Sequence, residues 1–218
     1  MIGRFPSGPL AGAVLLFACL FSTHALAQVP ATTATVPAES FLGEGFCFET
    51  NFSNSGATGY GPYYRLELPP QLAFDSAEIF GAGLAIISNE VFPGSGTLSD
   101  ALALAPASSS VSGTPGNRLL ILQLPVGSVT AGGPPLETNF CFTIQPSAVV
   151  GTPLPVRLTP VYRFGDTPTG ANGSIIGATP NQSVTPTVLR FSKRNDAPEA
   201  ERPPGVIWLY TYTLTTDI

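Results

Sequence analysis

Two cysteines in matching contexts, Phe46-Cys47-Phe48 and Phe140-Cys141-Phe142, are the residues best placed to do chemistry in this chain. Two thiols that meet in an oxidising compartment close a disulfide. A zinc site would need two further ligands of the right type, and the sequence does not supply them. Side chains alternate between the two faces of an extended strand. The phenylalanines therefore share one face, continued by Phe52 or Ile144, and each cysteine falls on the other, with Glu49 and Asn51 or with Asn139 and Thr143. Both sulfurs then point away from the core, so a bridge requires the two strands to be neighbours in one sheet. Closing a loop of roughly 100 residues contributes up to about 4.7 kcal/mol in the chain-entropy account.

Other groups point to less. His24 is the only histidine, and it lies in Met1 to Ala27, together with the third cysteine, Cys19. That segment has the form of a cleaved secretory leader: Arg4, an apolar run from Leu10 to Phe21, and Ala25-Leu26-Ala27 before Gln28. Without it the chain has no histidine, which excludes Ser-His and Cys-His nucleophile pairs and histidine-ligated metals. Lys193 beside Asn195 and Asp196 has the residue types of an intramolecular isopeptide bond, but such a lysine must be buried, and this one lies in a polar, proline-rich stretch. Asp75, Glu78, Asp100 and Asp166 are dispersed and form no calcium loop. Gly94-Ser95-Gly96 and Gly127-Ser128 read as turns.

Tyr60, Tyr63 and Tyr64, beside Gly59 and Gly61, form a local aromatic group. It reads either as a sugar-stacking platform or, more simply, as packing beneath a loop with exposed hydroxyls. Asn51, Asn172 and Asn181 each begin an Asn-x-Ser acceptor pattern. No cofactor is expected.

The elements that position these residues are strands. The chain is 44% hydrophobic and only 11% charged, which argues against general disorder, and its 23 Gly and 23 Pro break helices and punctuate short strands. The net charge is −5, with Lys193 the only lysine, so there is no electrostatic footprint for nucleic acid and little to attract an anionic membrane. No apolar run after the leader approaches membrane-spanning length.

Strands are expected at Glu44 to Phe52, Tyr63 to Leu68, Arg118 to Leu124, Leu136 to Ile144, Pro155 to Phe164 and Ser183 to Phe191. Leu98 to Leu104 is expected to make a short helical turn capped by Ser99 or Asp100, and Gly165 to Ser183 a long loop. The spacing Gly43, Phe46, Phe48, Thr50, Phe52 returns as Gly205, Trp208, Tyr210, Tyr212, Leu214, as if one strand type occurred twice. The expected organisation is a leader over 1–27, an extended Thr/Ala/Pro lead over 28–40, a β-sandwich over 41–191, and a hinge with the start of a second, truncated repeat over 192–218.

Several stretches resemble the β-sandwich repeats of large bacterial surface proteins, the domain of unknown function eleven and its relatives. They are Phe46-Cys47-Phe48, Asn54-Ser55-Gly56, Gly59 to Tyr63, Leu66-Glu67-Leu68-Pro69, Leu124 to Ser128 and Arg163 to Pro168, with a tail from Leu189 to Ile218 like the start of such a repeat. The resemblance implies an immunoglobulin-like sandwich in a stalk, adhesin or envelope component, and it carries no catalytic residues to transfer.

The reading is an all-β, Ig-like antiparallel sandwich behind a cleaved signal peptide: an exported, non-enzymatic structural or adhesive module at the cell surface. Its expected partners are further repeats of the same protein or other surface proteins. The alternative is a carbohydrate-binding module that meets glycans through Tyr60 to Tyr64.

Overall fold

The structure, a computed structural model, describes residues 28–104, 109–165, 167–169, 174–195 and 210–217. Alternating apolar and polar side chains, cut by Gly and Pro, give strands throughout and no helix among the described residues. In chain order these are β1 (Pro30–Ala34), β2 (Glu39–Phe41), β3 (Gly45–Asn54), β4 (Gly59–Leu68), β5 (Leu72–Ile79), β6 (Ala82–Gly83), β7 (Ala85–Val91) and β8 (Thr97–Ser99). They continue as β9 (Ser110–Ser112), β10 (Arg118–Gln123), β11 (Ser128–Val129), β12 (Leu136–Ile144), β13 (Leu154–Phe164), β14 (Ile175–Ile176), β15 (Gln182–Asn195) and β16 (Tyr210–Asp217). None of the described residues forms a helix long and apolar enough to cross a membrane.

Two sheets pack face to face, the layer architecture of immunoglobulin-like sandwiches. The smaller has the order β1-β3-β12-β5-β6. The larger runs β16-β15-β13-β4-β10-β7, with β11 also on β4, β14 on β13 and β2 on β15. Pairing is antiparallel except for β2, which lies parallel to β15.

The core between the sheets is aromatic. On β3 and β12 the register sets Phe46 opposite Phe142 and Phe48 opposite Phe140, all four buried. Phe48 and Phe142 stack at 5.5 Å, and from the other sheet Tyr64 meets Phe52 and Phe140 edge-on at 5.4 and 5.5 Å. Such pairs add about 0.5–1.5 kcal/mol each beyond the area they bury. The same register sets Cys47 directly opposite Cys141. They are bridged on the outer face with Cα atoms 4.1 Å apart, as the alternation requires.

Elsewhere the chain departs from its sequence reading. The lead over 28–40 contains an ordered edge strand: β1 pairs with β3 from Pro30 opposite Asn54 to Ala34 opposite Thr50, turning Pro30 and Thr32 inward. Leu98 to Leu104 starts as strand rather than helix, because β8 pairs with β9 and the Asp100 carboxylate accepts the Leu102 N–H at 2.9 Å, closing a local turn that competes with a helix. The loop after β13 carries β14, paired with β13 at Val161 and Tyr162.

The boundary expected after 191 falls inside β15, which runs on to Asn195 and pairs with β16 from Val188 opposite Asp217 to Asn195 opposite Tyr210. On β16, Tyr212 and Leu214 are 58% and 65% exposed, unlike the buried phenylalanines of β3 that their spacing resembles. The difference is in what covers them: β3 is roofed by the second sheet, whereas among the described residues β16 pairs only with β15. Gly205 and Trp208 lie outside the described residues.

Phe140 is fully buried among three other rings, Phe48, Tyr64 and Phe142. Phe140→Ala is expected to cost about 3–5 kcal/mol, the usual range for deleting a buried aromatic side chain, as read from the midpoint of denaturant unfolding.

Candidate functional site

Strand β4 is flanked in its sheet by β13 and β10, and its two faces are covered by two separate apolar clusters, between which its tyrosines divide. Tyr64 points into the main core, where its hydroxyl shares a hydrogen bond with Thr50 Oγ1 at 3.2 Å. Tyr63 points outward into a second apolar cluster. There the β8–β9 hairpin lays Leu98 and Val111 with Phe92 and Leu102 over Leu119, Ile121 and Val161. Both tyrosines are fully buried and Tyr60 is half-buried. A sugar-stacking platform needs open ring faces, so Tyr60, Tyr63 and Tyr64 do not form one. The glycines beside them serve packing: a Cβ at Gly59 would lie 2.2 Å from the Tyr162 ring.

The outer cluster instead encloses an ionic network. Arg65 and Asp100, with side chains 7% and 0% exposed, form an ion pair in which Nε and Nη2 of Arg65 both donate to Oδ2 of Asp100. The Tyr63 hydroxyl donates to the same oxygen and also contacts Ser174 Oγ at 3.1 Å, while Arg65 Nη2 reaches Ser109 Oγ at 3.1 Å. Burial, reinforced by the bond to Asp100, raises the Tyr63 pKa well above its ordinary 10.0, so the phenol stays protonated. Burial likewise raises that of Tyr64.

Two residues along β4, Glu67 sits opposite Arg157 of β13. Its carboxylate accepts from the Thr114 N–H at 2.9 Å, Asn117 Nδ2 at 2.7 Å and Arg157 Nη1 at 3.2 Å. Burial disfavours its charge, but these donors outweigh burial and hold the carboxyl below its ordinary 4.5.

Arg65, Glu67, Arg157 and Thr159 form part of the floor of an open groove of about 520 Å³ across the outer face of the larger sheet. One wall is Ser110 to Ser112 of β9; the other is Ile176, Thr179 and Asn181. Both carboxylates here, Asp100 and Glu67, are tied to guanidinium groups.

Other residues singled out by the sequence do not converge on this groove. Cys47 and Cys141 lie on the outer face of the other sheet. Lys193 is exposed with Nζ 5.6 Å from the centre of the Tyr212 ring, a cation–π contact rather than the buried setting an isopeptide needs. Among the described residues no three His, Cys, Asp or Glu side chains gather as a metal site. Asp166, Asn172 and Asp196 fall outside the described residues. The sequence reading missed Arg65 and Arg157, whose signal was slight: charged residues within otherwise apolar alternating strands.

Two outcomes test this description. Removing one member of a buried ion pair leaves the other charged and unpaired, so Asp100→Ala is expected to lose about 3–5 kcal/mol of unfolding free energy. Because the Glu67 carboxyl is held below 4.5, its contribution is complete above that pH and is lost as pH falls through the depressed value. Stability should therefore decline on acidification below pH 4.5, and Glu67→Gln should decline less steeply over that window in chemical denaturation.

No protein-family model matches the chain, and no curated protein matches it. Among solved structures it is similar to a cohesin module from a family 33 glycoside hydrolase of Clostridium perfringens, at 12% identity and TM-score 0.42, over 73% of this chain and 97% of that one. It is also similar to the 35 kDa C-terminal fragment of the major pilin GBS80 of Streptococcus agalactiae, at 14% identity and TM-score 0.41, over 75% of this chain and 57% of the fragment. A third is the sixth cohesin of scaffoldin B from Acetivibrio cellulolyticus, solved with a Cel5 dockerin, at 16% identity and TM-score 0.38, over 72% and 97%.

Proposed function

We propose that this chain is an exported, non-enzymatic structural or adhesive module of a cell-surface or secreted protein. The observation that carries this reading is the Cys47–Cys141 bridge, set on the solvent side of a sheet. A disulfide in that position persists outside the reducing cytoplasm. The leader-like Met1 to Ala27 supplies a route to such a compartment. Two packed, mainly antiparallel sheets, one of them cross-linked between β3 and β12, form a stiff unit suited to bearing load or presenting a surface. Further repeats of the same protein, or other surface proteins, are the partners that such a unit serves.

The test is export itself. Produced with residues 1–27 in a bacterial host, the chain should be recovered outside the cytoplasm with a mass that begins at Gln28 and no thiol open to alkylation before reduction. A chain that stays in the cytoplasm with two alkylatable thiols at Cys47 and Cys141 would overturn the reading.

A further inference from the structure

The groove on the outer face of the larger sheet is built, not incidental. Its floor is fixed by pairing: Arg65 lies opposite Thr159, and Glu67 opposite Arg157. From the β8–β9 hairpin, Asp100 and Ser109 hold Arg65 in place. The charges within it are unequally engaged. Arg65 is answered by Asp100, and Glu67 by Asn117, the Thr114 N–H and Arg157. Among the described residues Arg157 makes its hydrogen bonds through Nη1 and keeps a side chain 46% exposed, so Nη2 and Nε retain their donors. Those donors form a planar fork suited to a carboxylate.

Around that fork the lining is hydroxyl and amide: Ser110, Ser112, Thr159, Thr179 and Asn181, with Leu119, Val111 and Ile176 between them. Hydroxyls and amides both donate and accept, which matches the hydroxyls of a sugar ring, and the apolar patches suit its C–H faces. Strand β4 of the floor is paired on both sides, with β13 and β10, so an extended peptide has no free edge there to add to. The groove's volume is within the usual range for small-ligand sites, about 300–1,000 Å³.

We propose that this groove binds a carboxylate-bearing saccharide, with the Arg157 guanidinium receiving the carboxylate and the hydroxyl and amide side chains of the walls receiving the ring hydroxyls. The site is distinct from Tyr60, Tyr63 and Tyr64 and does not depend on the chain's being a surface module.

The test is calorimetric titration of the disulfide-intact mature chain with a trimer of galacturonic acid, alongside a neutral galactose trimer and a glutamate tripeptide. Saturable binding of the acidic trimer is expected, with the neutral trimer and the tripeptide weaker by about tenfold or more, the worth of one charge-assisted hydrogen bond. Arg157→Gln should lose a similar factor, and Asn181→Ala, at an exposed wall position that leaves the Glu67 cluster intact, should weaken binding severalfold with an unchanged thermal midpoint. Absence of saturable binding by the acidic trimer, equal binding by Asn181→Ala, or equally tight binding of the glutamate tripeptide would overturn the proposal.

Discussion

The in-register pairing of β3 with β12 is the constraint on which the rest of the structure depends. Because side chains alternate, one choice of register sets the Phe46, Phe48, Phe140 and Phe142 rings inward and Cys47 against Cys141 outward. A slip of one residue would send every ring to solvent and every polar group to the core. The bridge across 94 residues of sequence therefore locks the same register that hydrophobic burial selects. Tyr64 and Tyr162 of the larger sheet then pack edge-on against the rings that this register presents, and so set how the second sheet sits on the first.

With its inner face fully occupied, the larger sheet puts its polar residues on the outer face, and there β8 and β9 fold back over half of it. Covering a sheet face in this way buries Arg65, a permanently charged side chain, which is tolerable only because Asp100 arrives on the same hairpin to meet it. The β8–β9 hairpin leaves the other half open. The groove lies beside this roof: where the apolar cluster under the hairpin ends, Glu67, Arg157 and Thr159 begin. Its position follows from the same alternation that builds the core.

Much of this was legible in the chain. The strands β3 and β12 and the outward direction of both cysteines follow from period-two alternation, and β10 from a continuous apolar run, Leu119 to Leu122, closed by Pro125. The site was not legible, for a physical reason. Arg65 and Asp100, or Glu67 and Arg157, are far apart in sequence and meet only through strand order, which local pattern does not encode. The Tyr60 to Tyr64 group misled because β4 is covered on both faces, so consecutive tyrosines are buried in opposite directions. The lead over 28–40 read only as extended because its sequence names no partner strand; the edge of β3 supplies the hydrogen bonds that make Pro30–Ala34 a strand.

Native-state hydrogen exchange resolved by peptide mass spectrometry tests the central place of the β3–β12 register most directly. If it organises the fold, the amides of β3, β12 and β4 open only with global unfolding and exchange slowest, together, while those of the β15–β16 ribbon exchange first. Amides of β3 and β12 that exchange as readily as those of the ribbon would contradict the account.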